Sequence, residues 1–297
     1  MHKENKHINT NTPLVSVIMN CYNGEKYLSE AIDSVYVQTY SNWEIVFWDN
    51  ASIDSSSEIA RSYDSRLRYF CSEYTTPLGE ARSLAVSEAK GKYIAFLDCD
   101  DLWLPDKLRD QVDIFLKDGS LAIVYGYAEI LYDDWMQKSK KNSSNILPNV
   151  NNLPEGMIFD KLIREDFIPF PSAMIDKGKF MECGGFPADY RHSTDYWIFL
   201  HLSYKYKVGA VKKICCKYRI HQGNLSHSQA VVCALENIKL VKSFMPNNIA
   251  ADSLVFHYVN LSIAYLKERK IVDTFLIMYK HGGWGILGRR LFNKLVS

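Results

Sequence analysis

The chain has 297 residues, 47% of them hydrophobic, and 35 Lys and Arg against 34 Asp and Glu leave a formal charge of +1. That length fits one large globular domain with an appendage, or two domains, and the charge balance gives no electrostatic drive toward nucleic acid. Seven cysteines without a C-x-x-C pair, two of them adjacent at Cys215 and Cys216, predict reduced thiols and a cytoplasmic protein. The polar start over 1–12 reads as a disordered leader rather than a signal peptide. The sequence contains no run of about 18 apolar residues, so no membrane-spanning helix is predicted.

Strands and helices alternate through the first half. Leu14 to Met19 reads as a strand, followed by a helix in which Tyr27, Leu28, Ala31, Ile32 and Val35 recur at helical spacing. Glu44 to Trp48 is a second strand, and Ser55 with Glu58 has the spacing of a capping box opening a short helix to Tyr63. Leu67 to Cys71, a helix over Gly79 to Ala89, and the strand Tyr93 to Leu97 follow. Asp106 to Leu116 is then helical, and Ile123 to Tyr125 returns to the sheet. This alternation predicts an α/β fold with a mainly parallel sheet flanked by helices. From Trp135 to Pro154 the chain is polar and reads as a loop. Asp195 to Tyr206 is a helix, and Val231 onward is mostly helical, with breaks at Pro246 and Gly282-Gly283.

The stretch YIAFLDCDDLWLPD carries the strongest chemical signal. An apolar strand stops at Asp98, Asp100 and Asp101, where hard oxygen ligands would suit Mn²⁺ or Mg²⁺. The competing reading is that these acids cap the helix announced by Pro105. Two other strands also end in polar residues: Asn20, Cys21, Tyr22 and Asn23 after the first, Asp49 and Asn50 after the second. Polar strand ends sharing one sheet edge should converge on a ligand cleft. For Asp49 and Asn50 the alternative is simple turn chemistry. Cys99 reads as a small residue facing the core. Neither G-x-G-x-x-G nor G-x-x-x-x-G-K-[ST] is present, so a nucleotide phosphate would need another means of neutralisation, such as a bound cation.

The runs VSVIMNCYNGEKYLSEAIDSVYVQTYSNWEIVFWDNASID and GEARSLAVSEAKGKYIAFLDCDDLWLPDKL resemble the family 2 glycosyltransferases. The match is close over 14–112 and looser to about 228. The resemblance implies the GT-A fold, a nucleotide-diphosphosugar-binding α/β sheet. It also implies an inverting transferase that adds one sugar per encounter, since the Q-x-x-R-W motif of processive relatives is absent. Asn20 and Tyr22 then fall at the nucleobase pocket, and Asp49 and Asn50 at the base and ribose. Arg82 lies near the nucleotide, and Asp98 and Asp100 form a D-x-D motif. Asp100 is the main metal ligand implied, with Asp98, Asp101 and His221 as further candidates. Asp195 matches the catalytic base, with Thr194 where relatives usually have Glu; its alternative is a helix cap. His221, in YRIHQGNLS, would contact the diphosphate or the metal.

The donor implied is a nucleotide-diphosphosugar, UDP-linked first. The acceptor is a glycan or an undecaprenyl-diphosphate-linked sugar of bacterial surface polysaccharide synthesis. Phe167, Phe170, Phe186 and Tyr190 could offer aromatic faces to sugar rings or belong to the core. The tail over 284–296 places Trp284, Ile286, Leu287, Leu291 and Phe292 among Arg289, Arg290 and Lys294. It reads either as a peripheral contact with the inner face of the plasma membrane or as a helix packed on the domain. The domain layout expected is a leader over 1–12, a transferase domain over 13–230 and a helical extension over 231–297. Within the transferase domain, 13–112 binds the donor and 113–230 carries the acceptor and the base. Two rival functions remain open here: a sugar nucleotidyltransferase and a non-catalytic sugar-nucleotide or glycan-binding module.

Overall fold

The computed structural model describes residues 12–133, 145–188, 190–224, 229–288 and 290. The expected leader before Thr12, most of the polar stretch after Asp133, and the tail residues Arg289, Leu291, Phe292 and Lys294 lie outside them.

The strands are β1 (Val15–Cys21), β2 (Trp43–Asp49), β3 (Leu67–Cys71), β4 (Tyr93–Phe96), β5 (Leu102–Trp103), β6 (Leu121–Tyr132), β7 (Ile146–Leu147), β8 (Met174–Asp176) and β9 (Lys207–Ile220). The helices are α1 (Glu25–Tyr36), α2 (Ser56–Arg61), α3 (Leu78–Ser87), α4 (Lys107–Lys117), α5 (Phe159–Leu162), α6 (Lys177–Glu182), α7 (Thr194–Lys205), α8 (Ala230–Ser243), α9 (Asn248–Lys267) and α10 (Ile271–His281). They build a nine-stranded sheet in the order β3-β2-β1-β4-β8-β6-β9-β5, with β7 added to β6. The β3-β2-β1-β4 half is parallel throughout. In the other half β6 runs parallel to β9, while β8, β7 and β5 pair antiparallel.

The central strands are buried on both faces, as their unbroken apolar runs require. Helix α1 turns Leu28, Ala31, Ile32 and Val35 inward, and these pack with Val15, Val17, Ile45 and Phe47 on one face of the sheet. On the opposite face Ile18, Val46, Ile94 and Phe96 pack with Phe159, Leu162, Phe199 and Leu202. Leu240, Val241 and Ala250 of the C-terminal helices join this second core.

Several local expectations change. Ser55 makes no side-chain cap for α2, which ends at Arg61 rather than Tyr63. Instead Asp54 accepts from the Ser56 N–H at 3.0 Å, and Glu25 of the neighbouring helix accepts from the Ser55 N–H at 3.0 Å. The return to the sheet after α4 is a 12-residue strand rather than the few residues predicted. The sequence reading does not predict its partner β9, because Lys212, Lys213 and Lys217 and the register shifts against β6 break any clean alternation. Strand β5 separates the acids from α4, whose N-cap is Asp106, so Asp98, Asp100 and Asp101 do not cap that helix.

Helix α9 also departs from expectation. Its 20 residues, with mean hydropathy 1.3 over the best window, are long and apolar enough to cross a membrane. It packs against α8 and α10, and it buries His257 with Nε2 bonded to the Ile163 carbonyl at 2.7 Å. These partners account for its apolarity as a core helix of the extension.

Candidate active site

The carboxyl ends of β1, β2 and β4 open onto one cleft of about 740 Å³. Its wall includes Asn20, Tyr22, Asn50, Arg82, Asp98, Asp100, Asp195 and His221. The convergence expected of polar strand ends is therefore present. Two sequence candidates are absent from that wall. Asp49 is buried, its carboxylate accepting from the Tyr69 hydroxyl at 2.6 Å and the Ser52 N–H at 2.8 Å. Asp101 is buried too, with Oδ1 accepting from the Arg219 N–H at 2.8 Å and Oδ2 left without a partner. Asp101 thus pins β9 to the β4 end rather than reaching the cleft.

Asn50 lies on the wall, but its amide is occupied. Nδ2 donates to the Thr76 carbonyl at 2.9 Å, while Oδ1 accepts from the Thr76 N–H, the Thr76 hydroxyl and the Ser72 hydroxyl at 3.0 to 3.2 Å. The side chain holds the loop before α3 and has little left for a base. Asn20 differs: its Nδ2 is buried without a partner. A buried donor left unmatched costs about 1–3 kcal/mol unless a ligand accepts from it. Tyr22, 56% exposed, stands free at the rim. Cys99 borders the cleft as well as the core, donating to the Asn20 carbonyl at 3.3 Å.

Arg82 joins the two walls. Its guanidinium, almost wholly buried, donates to Asp98 at 3.2 Å and to the Thr194 hydroxyl at 2.7 Å, 112 residues away. It also lies over the Phe170 ring at 4.1 Å. Helix α3 reaches this position because Gly79 lets it close on the segment before α7. A Cβ there would stand 2.7 Å from the Pro187 carbonyl oxygen and 2.9 Å from that of Tyr190. Phe186 and Tyr190 are core residues, so of the four aromatic candidates only Phe170 borders the cleft.

Asp195 sits in the first turn of α7 and does not serve as its N-cap, which is Ser193. The turn before the helix is held instead by Glu236 of α8. That carboxylate accepts from the N–H groups of Arg191, His192 and Ser193, each at 2.9 Å. This residue went unnoticed in the sequence, where a Glu within a helix carries no mark of a partner on another element. Burial pushes the Asp195 carboxyl above the ordinary carboxylate range, and the Arg82 charge offsets part of that rise. Asp98 is raised for the same first reason, again opposed by Arg82. A carboxylate lifted in this way is a better proton acceptor near neutral pH.

His221 Nε2 lies 2.8 Å from Asp100 Oδ2, while its Nδ1 accepts from the Gly223 N–H at 3.1 Å. Only the tautomer with the proton on Nε2 satisfies both contacts. In that tautomer His221 donates to Asp100. Among the described residues no group of three His, Cys, Asp or Glu side chains is arranged to hold a metal ion. A cation of the Mg²⁺ type needs only one or two carboxylates and draws its remaining ligands from phosphate and water; Asp98 and Asp100 are the carboxylates of the β4 end on the cleft wall.

The family model for glycosyl transferase family 2 matches residues 16–184. The chain belongs to that family. A curated Escherichia coli relative, UDP-Glc:alpha-D-GlcNAc-diphosphoundecaprenol beta-1,3-glucosyltransferase WfgD, is 29% identical over 257 residues, covering 84% of this chain and 94% of its own length. The solved structure of the mannosyltransferase PcManGT from Pyrobaculum calidifontis, in complex with GDP-Man and Mn²⁺, superposes with a TM-score of 0.64 at 17% identity, covering 96% of this chain and 81% of that one. S. aureus TarS 1-349 in complex with UDP-GlcNAc superposes at 0.59 with 16% identity, covering 88% and 72%. The fold is GT-A and the protein is a glycosyltransferase, so neither the nucleotidyltransferase nor the non-catalytic reading is retained.

Proposed function

We propose that the protein is an inverting transferase. It would move one sugar from a nucleotide-diphosphosugar, UDP-linked by preference, to a hydroxyl of a lipid-linked or glycan acceptor. The observation that carries this reading is the Arg82 bridge, which sets the Asp98 and Asp100 strand end and the Asp195 helix start around one cleft. Asn20, Tyr22, Asp98 and Asp100 would face the donor, with Arg82 beside its diphosphate. Asp195 would take the proton of the acceptor hydroxyl as its oxygen bonds to the anomeric carbon from the face opposite the leaving group. The bond from that carbon to the diphosphate oxygen breaks, the nucleoside diphosphate departs, and the anomeric configuration inverts. Mn²⁺ or Mg²⁺ held by Asp100 would offset charge on the leaving diphosphate. His221 would orient Asp100, and Asp49, Asn50 and Asp101 would shape the walls from behind.

The UDP preference and the lipid-linked acceptor are supported by the names of WfgD and the TarS complex. They point to bacterial surface polysaccharide synthesis at the cytoplasmic face of the membrane. Thermal-shift measurements with UDP-, GDP-, CDP- and TDP-sugars, each with Mn²⁺ and with EDTA, test the donor. Stabilisation by one nucleotide class, dependent on Mn²⁺, is expected. Transfer to a GlcNAc-diphospholipid then tests the acceptor, and a product retaining the donor's anomeric configuration would sink the mechanism.

A further inference from the structure

Helix α10 carries an apolar face that none of the described residues covers. Ile271, Val272, Phe275, Leu276 and Tyr279 are 58 to 89% exposed. At spacings of one, four, five and eight residues from Ile271 they share one side of the helix. The side facing the protein is separate: Thr274 and Met278 are buried, and Met278 packs with Val259 and Leu287. Trp284, 48% exposed, extends the open face by packing on Phe275 at 5.6 Å between ring centroids. Five large apolar side chains aligned on one helix are more than the scattered surface hydrophobics of an ordinary soluble protein.

The charge around this face is basic on balance. From Tyr265 to Gly288 there are four Lys and Arg against Glu268 and Asp273, with Lys270 paired to Glu268 at 2.6 Å. Lys267, Arg269 and Lys270 are exposed at one end of α10, and Lys280 at the other. Of the described tail residues predicted to touch a membrane, Trp284 joins this face while Leu287 and Arg290 turn toward the protein. Leu287 is buried, and Arg290 donates to Asn260 and, at 3.4 Å, to Glu165.

We propose that the α10 face, with Trp284, docks on an anionic phospholipid surface. The apolar side chains would enter the acyl boundary, Tyr279 and Trp284 would lie at the headgroup level, and the flanking cations would meet lipid phosphate. A second copy of the chain suits the face less well. A two-fold contact places the same patch on both subunits and sets these basic ends near each other. The proposal refines the membrane placement of the proposed function, and its test uses neither donor nor acceptor, so the two can fail separately.

Flotation of the full chain with phosphatidylglycerol–phosphatidylethanolamine vesicles, against phosphatidylcholine alone, is the test. The expected result is binding to the anionic vesicles that weakens with salt. Phe275→Glu with Leu276→Glu should reduce it by more than about tenfold, whereas Met181→Glu, on a remote exposed site, should not. Should the double variant misfold, Lys267→Glu with Lys280→Glu, both exposed, should still reduce binding several-fold. Absence of wild-type flotation would overturn the proposal, as would unchanged binding in the folded variants. A wild-type dimer in sedimentation that the double variant dissolves, without vesicle binding, would assign the face to a second copy and equally overturn it.

Discussion

The two walls of the cleft are built differently. The wall proposed for the donor is made from strand ends, and the loop after β1 is tied to the loop after β2 by several side chains. Ser52 receives the Asn23 N–H at 3.0 Å, Ser56 the Gly24 N–H at 2.9 Å and Asp54 the Glu25 N–H at 3.0 Å. The wall around Asp195 has one local bond, the Tyr196 N–H donating to the Asp195 carboxylate at 2.8 Å. Otherwise it depends on Arg82 from α3, bonded to Thr194, and on Glu236 from α8 under the preceding turn. A wall made of strand ends inherits the rigidity of the sheet. A wall held chiefly by two side chains from other helices, Arg82 and Glu236, can lose its geometry while the fold survives.

The sharpest way to break the comparison is at the reacting group. Asp195→Asn should lower kcat by about 10²–10⁴ and leave donor stabilisation in a thermal shift intact; retained turnover would remove Asp195 from the base role. The same residue sets a pH dependence. In the proposed base role its carboxylate form is the active one, and burial raises its pKa, so kcat/KM should fall as pH falls through a value above the ordinary carboxylate range. A pH–rate profile flat down to that ordinary range would contradict this.

Arg82→Ala should be next in size, because it removes the bridge and leaves Asp98 and Thr194 without their partner. Its stability cost should reach about 3 kcal/mol in urea unfolding, together with loss of both donor affinity and turnover. Arg82→Lys, which lacks the two-pronged fork, should restore only part.

Glu236→Ala should act more finely. Three N–H groups before α7 lose their acceptor, so kcat should fall by roughly tenfold, about 1.4 kcal/mol, with donor affinity unchanged. Equal losses of donor affinity and kcat would show that the walls are not independent. Asn50→Ala should have the smallest catalytic effect, since its amide serves the Thr76 loop. It should cost about 1–2 kcal/mol of stability with a minor change in KM, and a large KM rise would return Asn50 to the nucleotide.

Much of the first half was legible because the determinants of its strands are local. Apolar runs ended by polar residues mark β1, β2 and β4, and β-α alternation places those ends on one sheet edge, where the cleft lies. The D-x-D strand end and the helix opened near Asp195 could likewise be read from a few neighbouring residues. The α/β class follows from the same periodicities, since strand and helix burial repeat at different spacings.

The tertiary structure decided which of those polar residues face the cleft. Asp49 and Asp101 share the acidic, strand-end signature of Asp98 and Asp100, yet Tyr69 and Arg219 hold them away from it. Strand pairing of β9 with β6 and β5 carries His221 to Asp100 across 121 residues, and α8 carries Glu236 to the turn before Asp195. The unpartnered face of α10 also emerges only once α9 has occupied its other side. Sequence by itself determined the local elements and the residue chemistry. Which side chains met, and which surfaces stayed open, depended on contacts between segments far apart in the chain, for which local spacing carries no information.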